Sequence, residues 1–142
     1  MSDWIFSIRE LHDTGDVRGS SYSVPAELLA GGFPAADMHI ATIESGAVRG
    51  NHYHTLRHEI LVVMASDRWS LHWDEGANTP TKHREFDGQS AVLVTVPTSM
   101  SHAIRNDGQV AMRMVGLSNM PYDADRPDVY PRQVVAPRPH RS

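Results

Sequence analysis

The sequence predicts an all-β single domain. Its apolar segments alternate with period two, they are short and rich in β-branched or aromatic residues, and Gly, Pro, Asn and Asp punctuate them. Residues 4–8, 38–43, 59–64, 68–73, 91–96, 102–105 and 110–117 meet these criteria and are the expected strands. Short strands of this kind bury one face each in a sandwich or a closed barrel, and periodicity alone does not choose between the two. A helical turn is expected over residues 26–30, between Pro25 and the Gly31, Gly32 pair that would stop it. From Pro121 the composition shifts to Pro, Arg and Asp, so residues 1–130 form the expected domain and 131–142 an extended or disordered tail.

The 142 residues suffice for one domain with a real core. A formal charge of −4 and 40% hydrophobic residues give no broad basic field, so nucleic acid is not an expected partner. Cysteine is absent, which excludes disulfides and thiolate metal sites; any bound metal must use imidazole and carboxylate, and there are nine His. No signal-peptide pattern opens the sequence and no apolar run reaches membrane-spanning length. The expectation is a cytoplasmic protein with no membrane partner.

The stretch from Gly46 to Glu59 carries the chemistry. Residues i and i+2 of a strand share a face, so His52 and His54 converge on one side of a sheet. Glu59 opens the next apolar strand, and a short turn brings it back beside them. Two imidazoles and a carboxylate suit a divalent transition metal, and His102, delivered by the turn that Pro97 begins, is the candidate fourth ligand.

These stretches resemble the cupin family. Gly46, His52, His54 and Glu59 match its first motif, Gly, five residues, His-x-His, three or four residues, Glu. Pro97, His102 and Asn106 match the second, with Ser99 where the family carries Gly; Ser66 likewise replaces the Gly that closes the first. Both departures concern turns rather than ligands. The resemblance implies a jelly-roll barrel (a double-stranded β-helix), a metal held by His52, His54, Glu59 and His102, and a homodimer, with the strand at residues 4–8 a candidate for exchange between subunits.

His58, next to Glu59, should face away from the metal, and His12, His83 and His140 lie in polar segments that read as solvated. His39 and His72 each interrupt an apolar strand. Two readings stand for both: a catalytic acid or base inside the barrel, or an outward residue of an alternating strand.

A narrower resemblance is carried by Arg49 to His54 and by Pro121 to Tyr130. Both are similar to the zinc cupin domain at the C-terminus of bifunctional capsular-polysaccharide enzymes, where it epimerises a UDP-4-keto-sugar before a dehydrogenase domain reduces it. The segment Asp16 to Gly19 resembles the related nucleotide-sugar isomerases and epimerases. The implied chemistry is proton transfer next to a ketone, with zinc the expected cofactor and iron, manganese or nickel the alternatives. Arg49 and Arg18 are candidates for the diphosphate of a nucleotide-sugar substrate, and Tyr53 is a further substrate-binding candidate, although it alternates away from the His52 and His54 face. No Gly-rich dinucleotide fingerprint follows a strand in these residues, so the expectation is a protein that acts alone or hands its product to a separate reductase. The rival functions are a metal-dependent dioxygenase or lyase, and a small-ligand-binding cupin without catalysis.

Overall fold

The computed structural model describes residues 4–30 and 35–139. Along the chain run β1 (Ser7–Glu10), α1 (Ala26–Ala30), β2 (Asp37–Ile43), β3 (Val48–Tyr53), β4 (Glu59–Ala65), β5 (Trp69–Trp73), β6 (Lys82–Phe86), β7 (Ser90–Val96), β8 (His102–Asn106), β9 (Met112–Ser118) and β10 (Tyr130–Pro131). They form two five-stranded antiparallel sheets, ordered β1-β7-β4-β9-β2 and β10-β3-β8-β5-β6. From β2 to β5 and again from β6 to β10 the chain crosses between sheets at every step, which is jelly-roll topology.

The alternation decides what lies between the sheets. Ile43, Leu61, Val63, Val92, Val94, Val96 and Met112 project from the first sheet onto Trp69, Leu71, Phe86 and Ile104 of the second. Trp69 and Phe86 stack at 4.2 Å between centroids, and each fully buried side chain of this size contributes about 1.5–3 kcal/mol. Phe6 stacks on Trp73 at 4.8 Å, and Arg84 pairs with Glu10 at 3.3 Å, closing the barrel between β1 and β5–β6. The core fills one end of the barrel. At the other end β3 finishes and β4 and β8 begin, and that end is hollow.

Three strands lie outside the expected segments. β6 carries Lys82, His83, Arg84 and Glu85, all exposed, with Phe86 alone buried; it is a sheet edge, and its polar faces give no apolar alternation to read. β3 is polar because it ends in the His-x-His pair, and β10 has only two residues. β1 begins at Ser7 rather than residue 4 and pairs with β7 of its own chain. β9 begins at Met112 because the turn at Gly108 leaves Val110 exposed. The helical turn α1 occupies the expected residues, whereas Gly31 and Gly32 lie outside the described ones.

The C-terminal segment is a strap rather than a free tail. Tyr130 and Pro131 pair with Tyr53 and His52, and the Arg132 amide donates to the Asn51 carbonyl at 2.9 Å. The Asn51 side chain accepts from the amides of Val134 and Val135 and donates to the Val135 carbonyl. The Arg132 guanidinium bonds both carboxylate oxygens of buried Asp74, at 2.7 and 2.8 Å, and Val134 is buried. Through residue 139 the chain is extended; His140 lies beyond the described residues.

His72 does not face the interior. On β5 the alternate residues Trp69, Leu71 and Trp73 point into the barrel, which turns Ser70 and His72 to the outer face. There the His72 ring hydrogen-bonds the Ser70 hydroxyl at 2.8 Å and stacks on His83 at 5.5 Å. Burial, reinforced by nearby Arg105, pushes its pKa from 6.5 down to about 4. The unfolded chain therefore takes up a proton at this residue where the folded chain does not. Stability falls as pH drops below about 6.5 and levels off near 4. The His72→Gln variant is expected to lose this part of the acid sensitivity, read as a smaller difference in urea midpoint between pH 7 and pH 5 than in the parent.

Candidate metal centre

The site is assembled by a backbone irregularity in β3. Gly50 opposes Ala103 on β8, Asn51 is extra, and His52 opposes His102, so a β-bulge occupies Gly50 to His52. Both bulge residues have positive φ, +114° at Gly50 and +57° at Asn51. A Cβ at Gly50 would meet the His102 carbonyl oxygen at 2.4 Å, so only glycine fits. The bulge ejects Asn51 toward the strap and sets His52 on the inner face level with His102, their ring centroids 5.1 Å apart.

His54 follows β3, its ring 5.0 Å from that of His52, and Glu59 opens β4. One ligand atom from each of His52, His54, Glu59 and His102 lies within 4.8 Å of all the others, so the set expected from sequence converges and can hold a metal ion. His54 Nδ1 donates to the Asp128 carbonyl at 2.7 Å and His102 Nδ1 to the Met100 carbonyl at 3.1 Å, because a carbonyl can only accept. Both Nε2 lone pairs therefore face inward. His54 Nε2 lies 2.5 Å from Glu59 Oε1 and His102 Nε2 3.3 Å from it. Buried His54 Nε2 and Glu59 Oε1 have no hydrogen-bond partner, so both are left unsatisfied where the four ligand atoms converge.

The electrostatics agree. Burial raises the Glu59 pKa, but the His102 and His54 rings beside its carboxylate outweigh that and hold it well below the usual carboxylate range. Burial likewise disfavours charge on His54, while the Glu59 carboxylate and the Asp128 carbonyl raise its pKa overall. Burial first, then His102 and His54, push His52 down to about 4, so it is a neutral lone-pair donor near pH 7.

Asp128 holds the turn between the two motif halves. Its carboxylate accepts from the amides of Thr55, Leu56 and Arg57 and from the Thr55 hydroxyl, at 2.6–3.0 Å, while its own carbonyl orients His54. Ser99, standing where the cupin motif carries Gly, has φ +72°, the left-handed conformation that favours glycine. Its amide donates to the His54 carbonyl at 2.7 Å, so the turn keeps its geometry despite the substitution.

A cavity with two lobes, of about 370 and 440 Å³, meets at this cluster. His39, His52, Glu59 and Met114 line both lobes. Arg49 lines the first with its Nε on the Thr42 carbonyl, and Arg57 and Tyr122 line the second. His39 thus faces the cavity, where its place opposite Gly116 on β9 puts it. The other sequence candidates do not reach it. Arg18 sits in an exposed turn with its guanidinium on Asp16, and Tyr53 stacks outward between Tyr130 and Arg132. His58 is stacked on Trp4. The sequence assigned no role to Arg57, or to Asp128 within the Pro121 to Tyr130 stretch, since each acts through a turn that brings distant residues together.

The jelly roll and the cluster at its open end define a cupin. The chain belongs to the Polysaccharide biosynthesis C-terminal domain family, whose model matches residues 26–130. Among solved structures it is similar to the capsular polysaccharide assembling protein CapF from Staphylococcus aureus, at 21% identity and a TM-score of 0.63 over 87% of this chain. It spans about a third of CapF, 34% of that chain. It is also similar to ChmJ, a 3′-monoepimerase from Streptomyces bikiniensis in complex with dTDP-quinovose, at 20% identity and a TM-score of 0.69, covering 85% of this chain and 67% of that one. A variant of the 3,4-ketoisomerase QdtA from Thermoanaerobacterium thermosaccharolyticum, in complex with TDP-4-keto-6-deoxyglucose, shares 14% identity at a TM-score of 0.65, with 88% and 86% coverage. No curated protein sequence matches at a significant level.

The Asp128→Ala variant keeps the backbone carbonyl on His54 but loses the carboxylate that holds the Thr55–Arg57 turn, and is expected to bind metal about 10-fold more weakly, the lower end of the usual effect of outer-shell losses. Asp128→Asn should lose less, since Asn keeps an acceptor and tolerates the φ of +50° at this position. Competition against a chelating dye measures both. His52→Ala and His102→Ala should retain no stoichiometric metal by elemental analysis; full metal content in either would remove that residue from the site.

Proposed function

We propose that this cupin is a metal-dependent epimerase or isomerase acting on a nucleotide-linked 4-keto-sugar, with zinc as its metal. The observation that carries this reading is His39, an imidazole that shares a cavity with the four-ligand cluster and with Arg49. Three imidazoles and one carboxylate suit zinc, which when bound would act as a Lewis acid on a carbonyl oxygen. The ChmJ and QdtA structures, with their dTDP- and TDP-linked sugars, supply the substrate class.

Epimerisation beside a ketone requires removal of a proton from one face of the carbon and delivery of a proton to the opposite face. His39 is the proposed base that removes the proton; it loses it to solvent, and a solvent-derived proton returns on the opposite face for epimerisation or on the neighbouring carbon for isomerisation. His52, His54 and His102 are committed to the cluster, and His72 to the outer face of β5. Arg49, on the wall of the first lobe, is the proposed partner of a diphosphate while the sugar reaches the cluster. The apolar wall of that lobe, Val48, Leu61, Ile104 and Met114, limits water around the reacting carbon.

The test is solvent deuterium incorporation. Incubated in heavy water with a dTDP- or UDP-linked 4-keto-6-deoxyhexose, the metal-loaded protein should place deuterium on the carbon beside the ketone with no other change in mass. His39→Gln should reduce that exchange by about 10²–10⁴-fold and leave metal content unchanged. Oxygen uptake and oxygenated product would replace this reading with a dioxygenase, and bound ligand without exchange would leave a binding module.

A further inference from the structure

Arg57 has no role in the proton transfer or in the metal cluster, yet it is 92% buried, with 8% of its surface exposed. A buried guanidinium normally sits against a carboxylate. None of the ion pairs among the described residues includes Arg57. Its buried Nε has no hydrogen-bond partner, and one terminal nitrogen makes a long 3.5 Å contact to the Pro121 carbonyl. The backbone fixes the position of this charge, because the Arg57 amide donates to Asp128 at 3.0 Å. The side chain lines the second lobe of the cavity together with Ser118 and Tyr122, on the far side of the cluster from Arg49. The acidic residues on the wall of that lobe are Asp37 and Glu59, and Glu59 is committed to His54 and His102.

We propose that the second lobe is an anion subsite in which Arg57 binds an oxyanion group of the ligand through two parallel N–H···O bonds. The terminal nitrogens of the guanidinium form a fork that matches a carboxylate or a phosphoryl group. This deepens the keto-sugar reading and rests on it for the identity of the ligand. The oxyanion is a carboxylate on the sugar where Arg49 holds the diphosphate, or the diphosphate itself where the ligand lies the other way round, with Arg57 in place of Arg49; the chemistry at Arg57 is the same for both. With Arg49 on the first lobe, the cavity would hold a ligand that extends both ways from the metal cluster.

The test is isothermal titration of the full chain with UDP, inorganic pyrophosphate, galacturonate and, as the neutral comparator, galactose. Arg57→Gln, Arg57→Lys and the exposed control Arg113→Gln are measured beside the parent. The subsite is supported if an anion binds the parent more tightly than galactose does, Arg57→Gln weakens it at least tenfold, Arg57→Lys weakens it less, and Arg113→Gln leaves it unchanged. Dependence for UDP and pyrophosphate assigns the diphosphate; dependence for galacturonate assigns a sugar carboxylate. Thermal midpoints guard against misfolding: Arg57→Gln should melt no lower than the parent without ligand, and should lose the anion-induced rise. A lower midpoint with anion binding intact would make Arg57 a structural prop for the Pro121 carbonyl and overturn the subsite, as would a parent that binds no anion better than galactose. Deuterium exchange is independent of this result, so an Arg57-dependent anion site without exchange would retain the subsite and reject the epimerase.

Discussion

The two left-handed residues at Gly50 and Asn51 are the constraint on which the site depends. One extra residue in β3 shifts the pairing with β8, and because strand side chains alternate, that shift decides which residues face the cavity. Without it Asn51 would stand opposite His102. With it His52 does, and Asn51 is free to bond the strap. The same bulge therefore builds the metal cluster and anchors the C-terminal segment over the outer face of the second sheet.

Burial and charge oppose one another around that centre, and the balance differs from ligand to ligand, with His52 left neutral and His54 raised. Glu59 and His54 are taken out of water, which by itself would neutralise both, yet the Glu59 pKa is lowered and that of His54 raised. The cluster is organised to hold positive charge beside a carboxylate. The carbonyls of Asp128 and Met100 reinforce this by fixing the His54 and His102 tautomers, and neither carbonyl is conspicuous in the sequence because each belongs to the backbone of a turn.

What was legible in the sequence follows from this. The central strands β4 and β7 are apolar on both faces and were read nearly to the residue; the polar edge strand β6 had no pattern to detect. His52, His54, Glu59 and His102 were readable because ligand chemistry requires those residue types at those spacings. His39 and His72 looked alike in sequence, each a histidine within an apolar strand. One residue of register separates them: His39 shares a face with Ala41 and Ile43, whereas His72 alternates with Leu71 and Trp73. Asp128 lies in a stretch that carried the resemblance, but its role and that of Arg57 were not legible, because both depend on a contact across the Thr55–Arg57 turn, 71 residues apart in the chain.

The strap and the cluster also share an energy. Asp128, two residues before β10, supplies the carbonyl that holds His54, so lifting residues 128–138 from the barrel releases a member of the cluster. Any cation that needs His54 then binds the closed strap better than the open one, and stabilises it by about 2.7 kcal/mol when its free concentration is a hundred times its dissociation constant. The amides of Arg132, Val134 and Val135, all bonded to Asn51, become reporters of occupancy, exchanging with solvent only as often as the strap opens.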